Sequence, residues 1–155
     1  MPESAIEVVT AFVQDTLEAS EEEALAGVSI LWGPPVGDDR PREFVAVGAS
    51  ADDADSWESK RDWIGLGRTI LDEDFTVHLA IQVEQHDGTN LQPALKRSVE
   101  IATAVEAELR KDPHMTGAEA QIRNVKMSRL RGRYFRSDQT RGHQVLLTIT
   151  GIARF

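Results

Sequence analysis

The 155-residue chain contains no cysteine, which excludes a disulfide framework, a thiol nucleophile and a thiolate metal site. It has no apolar run near the ~18 residues of a membrane-spanning helix, and Met1, Pro2 and Glu3 lack the positive charge of a signal peptide. Basic residues are not in excess, since 17 of them against 26 acidic residues give a formal charge of −9. This charge argues against general affinity for nucleic acid or anionic membranes. We therefore expect a soluble, intracellular protein.

What the chain does contain is typical of a globular protein. Apolar residues make up 41% and charged residues 28% of the sequence, which is neither a disordered nor a fibrous composition. The length favours one domain over residues 1–155, large enough to bury most of its apolar surface.

The charge is unevenly distributed along the chain. Residues 1–120 hold 9 basic and 25 acidic groups, a net of −16, whereas residues 121–155 hold 8 basic groups and 1 acidic group, a net of +7. Such a division usually indicates an oriented interaction surface or a partner of opposite charge.

Two amphipathic helices are predicted. The first begins at Ser4, which forms a capping box with Glu7 in which the serine hydroxyl accepts from the Glu7 amide. This helix should end before the acidic run at residues 21–23, because negative charge there opposes the helix dipole. The second helix covers residues 91–111, with Asn90 as its N-cap.

Alternating apolar residues and turn signals predict three strands before the C-terminal region. They cover residues 28–32, 43–47 and 75–84. Residues 49–62 are acidic and poorly periodic, which predicts an exposed loop. We expect Trp57 and Trp63 to turn back from this loop onto the domain.

The last 35 residues predict a long β-hairpin. Apolar positions change parity along its outgoing strand, which predicts a β-bulge near Ser128. Beyond the bulge Arg129, Arg131 and Arg133 would share one face, about 6.6 Å apart by strand geometry. The candidate subunit or partner interface consists of six arginines: Arg123, Arg129, Arg131, Arg133, Arg136 and Arg141.

The histidines do not form a metal-binding pattern. His78 and His86 would lie about 26 Å apart on one strand, while His114 and His143 fall in different loop or turn regions. We expect no metal site, and we expect His78 to face solvent.

No catalytic motif is complete either. Residues 65–68 resemble the start of a dinucleotide fingerprint, but Ile70 occupies the place of its third glycine. The carboxylates cluster in predicted loops, where solubility explains them better than acid–base catalysis. We therefore expect neither an enzyme nor a cofactor.

The arginine row allows three interpretations. It could be a solvated face neutralised by carboxylates, a contact for nucleic-acid phosphates, or a surface that docks on the acidic part of another copy. The last uses both halves of the charge division, because complementary ends make head-to-tail contacts that can close into a ring. A ring that lines its hole with arginine would combine the second and third interpretations.

Five features follow one another along the chain: the capped helix at Ser4, the strand 28–32 followed by Gly33-Pro34-Pro35, the strand 75–84, the helix 91–111 with its Asp112-Pro113 stop, and the bulged strand pair 121–136 and 144–155. In this order and spacing of elements the chain resembles the tail terminator (tail completion) proteins of long-tailed bacteriophages, especially those of actinobacterial phages and prophages. Neck and minor tail proteins of similar size could look much alike, and the acidic segment 49–62 is not matched by the resemblance.

The resemblance implies an α+β fold: a mixed, mainly antiparallel β-sheet packed against two α-helices, with a long C-terminal β-hairpin. It implies a hexameric ring that caps the finished tail tube, ends tail polymerisation and provides the head-joining surface, without catalysis, cofactor or membrane. Expected partners are further copies of the chain, the tail tube protein and a head-completion or connector protein, with DNA passing through the ring. The expected location is the head-proximal end of the virion tail, and the host cytoplasm during assembly.

Three alternatives remain open. The same hairpin could serve a nucleic-acid-binding module, or the chain could be a neck or minor tail protein. A small enzyme or ligand-binding domain would need a deep pocket with convergent polar groups, which sequence does not reveal.

Overall fold

A computed structural model describes residues 4–33, 41–48, 57–64, 70–136 and 140–155, with the backbone alone at residues 63–64 and 129–131. The helices are α1 (Ala5–Glu18) and α2 (Gln92–Arg110), with a 3₁₀ turn at Glu23–Leu25. The strands are β1 (Ser29–Trp32), β2 (Glu43–Val47), β3 (Trp57–Ile64), β4 (Ile70–Glu84), β5 (Gln121–Arg136) and β6 (Arg141–Arg154).

All six strands belong to one sheet whose centre is β4. The order is β1-β2-β4-β6-β5, and β3 pairs with β4 beside β2. One edge of β4 pairs with β6 along residues 72–84, while its other edge pairs with β3 along residues 70–77 and with β2 along residues 79–83. Among the strands of the described residues, β1 and β2 alone pair in parallel. The predicted α+β fold with a mixed, mainly antiparallel sheet is therefore confirmed.

The two helices share one hydrophobic core with the sheet. Alternate residues of β4 enter this core because side chains on a strand point to opposite faces in turn. The main cluster joins them to the apolar residues of both helices and of β6, including Val9, Val13, Val77, Leu79, Ile81, Ile101, Val105 and Leu147. A small second cluster lies on the other face and consists of Phe44, Ala46, Ala80 and Leu146, with Leu31 packed against it.

The helix boundaries lie within one residue of the sequence predictions, but both N-caps differ. Helix α1 ends at Glu18, before the acidic run. The N-cap of α2 is Leu91 rather than Asn90, although the Asn90 side chain accepts from the Gln92 amide at 3.1 Å. Ser4 does cap α1, yet its hydroxyl accepts from the Ile6 amide (3.2 Å) rather than from Glu7, and it donates to Glu73 Oε1 (2.7 Å). The predicted donor was therefore wrong, since the hydroxyl accepts from the amide of Ile6 and donates its own hydrogen bond to a buried carboxylate on β4.

The predicted loop at residues 49–62 is wrong for its second half. Residues 57–64 form β3, which pairs along the first half of β4 and extends that strand back to Ile70. The sequence of this segment does not alternate between apolar and polar residues. Its backbone hydrogen bonds to β4 hold it in the sheet, so burial of both its faces is not needed. Trp57 does not turn back onto the domain, since it is 51% exposed. Residues 49–56 and the Trp63 side chain lie outside the described residues.

The C-terminal hairpin has two register shifts. The predicted bulge is present slightly beyond Ser128, between Arg129 and Arg131, and an unpredicted one lies between Arg123 and Lys126. Arg129 is paired with Leu147, whereas Arg131 is paired with Leu146. The side chains of Arg129 and Arg131 lie outside the described residues, so their placement on one face with Arg133 stays a prediction.

Close packing at Gly142 fixes where β6 meets β4. A Cβ atom on this glycine would overlap the Val83 carbonyl oxygen and would lie 2.8 Å from Cζ of Phe135. The missing side chain thus allows β4 and the aromatic ring of β5 to approach β6 together.

We expect Gly142→Ala to lower the free energy of unfolding by about 1–3 kcal/mol, because backbone must shift to accept the methyl group. Urea unfolding measures the change. Ser128→Ala, at an exposed position of the same hairpin, should change stability by no more than about 0.5 kcal/mol. Equal effects of the two variants would contradict the packing argument.

Candidate interaction surface

The outer strand β5 carries exposed cationic and aromatic side chains. Lys126, Arg133 and Arg136 are exposed, and Tyr134 is 54% exposed although it is a large aromatic residue. In the part of the chain that the structure describes, β5 ends the strand order. Its two register shifts disfavour the addition of another strand at this edge. Contacts with a partner would therefore be made by side chains.

Two of the six predicted interface arginines hold the hairpin to its own sheet. Arg123 Nη2 donates to Asp72 Oδ2 at 2.9 Å. Arg141 donates to two backbone carbonyl oxygens, from Nε to Gln85 (3.3 Å) and from Nη2 to His86 (2.9 Å). These guanidinium groups fix the two ends of the hairpin against β4. Their role toward a partner stays a prediction.

The other four arginines lie together along the second half of β5. Arg133 Nε donates to Gln144 Oε1 on β6 at 3.2 Å, and Arg136 pairs with Arg141 in the ladder. Side chains of Arg129 and Arg131 lie outside the described residues, while their backbones continue the same strand. The structure thus brings Arg129–Arg136 to one end of one sheet edge, and Arg123 to the other end.

A charge cluster closes the opposite end of the hairpin. Asp72 on β4 accepts from Arg154 Nε (2.7 Å) and Nη2 (2.8 Å), and also from Arg123. The hydrogen bonds from Arg154, strengthened by its charge and by Arg123, hold the pKa of Asp72 below its ordinary value of 3.8. One carboxylate therefore ties β4 to both strands of the hairpin.

Replacing this carboxylate should loosen the hairpin. We expect Asp72→Asn to cost of order 1 kcal/mol of unfolding free energy at pH 7, because two partly buried guanidinium groups lose their shared anion. The lowered pKa of Asp72 means that its stabilisation is complete well above pH 3.8 and is lost as pH falls through the folded-state pKa. The difference between the two proteins, measured by urea unfolding, should thus shrink from pH 6 to pH 3. A constant difference would contradict the role of the ionised form.

A buried histidine supports the exposed tip of the hairpin. His143 lies on β6, not in the predicted loop or turn, and its Nδ1 is 2.7 Å from Oγ of Ser98 on α2. Ser98 donates its one proton to the Leu95 carbonyl oxygen (2.9 Å), so we assign the imidazole proton to Nδ1. The Tyr134 ring packs edge-on against the imidazole, with 5.0 Å between the two ring centroids. A Cβ on Gly132 would lie 2.6 Å from Cε1 of the imidazole.

This serine–histidine pair is structural. Ser98 is fully buried and His143 is 3% exposed, so the hydroxyl has no access to a substrate, which nucleophilic catalysis requires. Burial lowers the pKa of His143 below its ordinary value of 6.5. The neutral imidazole thus joins α2 to the strand that presents Tyr134.

His78 is a half-buried imidazole on the face of the sheet opposite the helices. Its Nδ1 lies 3.0 Å from Thr148 Oγ1, so the side chain is only partly open to the solvent that it was expected to face. Burial lowers its pKa as well. Within the described ranges no three histidine or carboxylate side chains are grouped to hold a metal ion.

Mild acid should destabilise the fold through these histidines. Below about pH 6.5 the unfolded chain binds protons that the buried imidazoles resist, so the free energy of unfolding should fall between pH 7 and pH 5. His143→Gln should reduce this pH dependence in urea unfolding, whereas His114→Gln at an exposed position serves as the control. An unchanged slope in the His143 variant would contradict the argument.

The acidic counterpart of the hairpin lies beside α1. A groove of about 510 Å³ runs between α1 and residues 116–119, and Glu7, Asp15 and Glu119 line it. Residues 116–119 lead directly into β5, which begins at Gln121, so the groove borders the beginning of that strand. The acidic groove therefore lies near one end of β5, and the exposed cations Arg133 and Arg136 lie at the other end.

No protein-family model matches the sequence, and no curated protein does. None of the helices in the described ranges is both long enough and apolar enough to cross a bilayer. The case for function therefore depends on the geometry and charge of the surfaces above.

Proposed function

We propose that the chain is a structural protein of phage assembly, a tail-terminator-like subunit. As a ring it would cap the tail tube, end tail polymerisation and provide the surface to which the head joins. The order of elements that carries the resemblance supports the proposal. The observation on which it chiefly depends is the placement of an acidic groove near the beginning of β5 and of exposed arginines at the other end of the same strand.

Opposite charges near the two ends of one strand favour head-to-tail contacts between copies. A head-to-tail interface is heterologous, and it generates a ring when the rotation between neighbours closes. Exposed ion pairs contribute under about 1 kcal/mol each, so they would set register and association rate more than affinity. The shape of the sheet edges and the apolar contacts beside the charges would have to provide the rest of the binding energy.

The ring would have two different faces because all its subunits point the same way. One face would bind the tail tube protein and the other a head-completion or connector protein, at the head-proximal end of the virion tail after assembly in the host cytoplasm. DNA would pass through the hole, where arginines of β5 could meet its phosphates.

Charge reversal on the hairpin should weaken this assembly. We expect Arg133→Glu/Arg136→Glu to weaken self-association by about tenfold or more, since roughly 1.4 kcal/mol from two lost pairs corresponds to a factor of ten. Lys96→Glu/Arg110→Glu makes the same charge change at exposed positions of α2. Light scattering of the chain alone and with tail tubes measures both variants. Equal assembly by the hairpin variant and the unmodified chain would exclude these arginines from the interface.

Exposure of Lys126, Arg133 and Arg136 on one strand also favours a second candidate, a nucleic-acid-binding module. Neutralisation of phosphates by such groups gives an affinity that falls steeply with salt. A gel-shift titration against duplex DNA at several salt concentrations distinguishes the candidates. Tight, salt-sensitive binding by a strictly monomeric chain would replace the ring proposal, and binding to tube ends without ring formation would indicate a neck or minor tail protein.

A further inference from the structure

Two exposed tryptophans flank the point at which β4 changes partners. Trp32 ends β1 and is paired with Val47, the last residue of β2, whereas Trp57 begins β3 and is paired with Val77 of β4. Val47 is itself paired with Leu79, two residues along β4 from Val77. The two indole-bearing strand ends therefore border one notch in the edge of the sheet.

The notch forms a groove of about 380 Å³ between the tryptophans and the first turns of α1. Ile6 and Thr10 of α1 line it together with Val47 and Gly48 at the end of β2. Trp32 is 58% exposed and Trp57 51% exposed. With Tyr134, they are the exposed large apolar residues of the described part of the chain, and such residues near one another mark interaction sites.

The groove suits a cationic and aromatic occupant. The face of an indole ring attracts guanidinium and ammonium groups more strongly than other aromatic faces do. Glu7 lines this groove and also the acidic groove along α1, where Asp15 and Glu119 follow. The tryptophan groove is therefore continuous with the acidic groove, and a positively charged segment would contact both grooves.

The chain itself contains a segment with this chemistry. The tip of β5 presents Arg133, Tyr134 and Arg136 at exposed positions, within a region whose net charge is +7. Strand β5 and the strands that bear the tryptophans lie on opposite sides of β4 and β6 in the sheet order, so the tip is remote from the groove of its own subunit.

We propose that the groove between Trp32 and Trp57 receives the β5 tip of a second copy of this chain. The inference rests on the proposed function and deepens it, because it names the acceptor for the hairpin. Guanidinium groups of the tip would lie against the indole faces and beside Glu7, and Tyr134 would add apolar contact. Since donor and acceptor are different surfaces of the same chain, each subunit offers one of each to its neighbours.

Cross-linking tests the heterologous geometry directly, because the chain has no cysteine of its own. Glu7→Cys and Arg136→Cys are made as separate variants, mixed under assembly conditions and oxidised. We expect a disulfide-linked dimer in the mixture and none in either variant alone. A dimer formed by Arg136→Cys alone would indicate a symmetric contact between hairpins and would overturn the proposal.

Substitution of the tryptophans tests the contribution of the rings. Trp32→Leu/Trp57→Leu should weaken self-association about tenfold in sedimentation velocity, since it removes both indole faces. Trp32→Phe/Trp57→Phe keeps an aromatic face and should retain most of the association. Equal urea midpoints of the variants and the unmodified chain establish that the fold is intact. Association unaffected by the leucine variant would overturn the proposal.

The outcomes separate this inference from the function on which it rests. Suppose that the unmodified chain and the leucine variant form rings equally well, and that the mixed cysteine variants form no disulfide-linked dimer. The groove is then not the acceptor, while the ring function stands. If the leucine variant forms rings and fails only to bind tail tubes, the occupant is the tube protein and the inference is overturned. A chain that stays monomeric with and without tail tubes overturns both.

Discussion

The hydrogen bonding of β4 on both of its edges is the constraint on which the rest of the structure depends. Its ladder with β6 runs along residues 72–84, and its other edge is divided between β3 and β2. With both edges occupied, alternate apolar residues of β4 face one side, and α1 and α2 cover them there. Every surface with a candidate role is positioned by this strand, including the hairpin beyond β6 and the notch between β2 and β3.

Charge links the local structure of the hairpin to its proposed use. Arg123 and Arg154 share Asp72, and Arg141 binds backbone carbonyl oxygens, so these cations stabilise the subunit itself. At the tip Tyr134 and Arg136 are exposed, and the His143 ring packs against Tyr134. The hairpin is therefore held at one end by the ion cluster around Asp72, and its exposed tip is the part that a neighbour would contact.

Much of the architecture was predictable because strong local patterns agree with the final contacts. The alternation from Phe75 onward predicted the central strand, and the bounds of β2 and β5 follow their apolar and turn residues. Local patterns failed where tertiary contacts compete with them. Ser4 was expected to accept from the Glu7 amide, yet it accepts from Ile6 and donates to the Glu73 carboxylate on β4, which is distant in sequence. The polar strand β3 is specified by its pairing with β4 rather than by its own periodicity.

For the candidate site, the sequence by itself determined the charge division and the clustering of arginines in the last 35 residues, because both depend only on which residues are adjacent in the chain. Tertiary structure alone decided which arginines are used internally, since Asp72 is remote from Arg123 and Arg154 in sequence. It also decided that Trp32 and Trp57 border one groove. Their proximity arises from the change of partner along β4, and strand pairing of that kind joins residues whose spacing in the chain carries no signal.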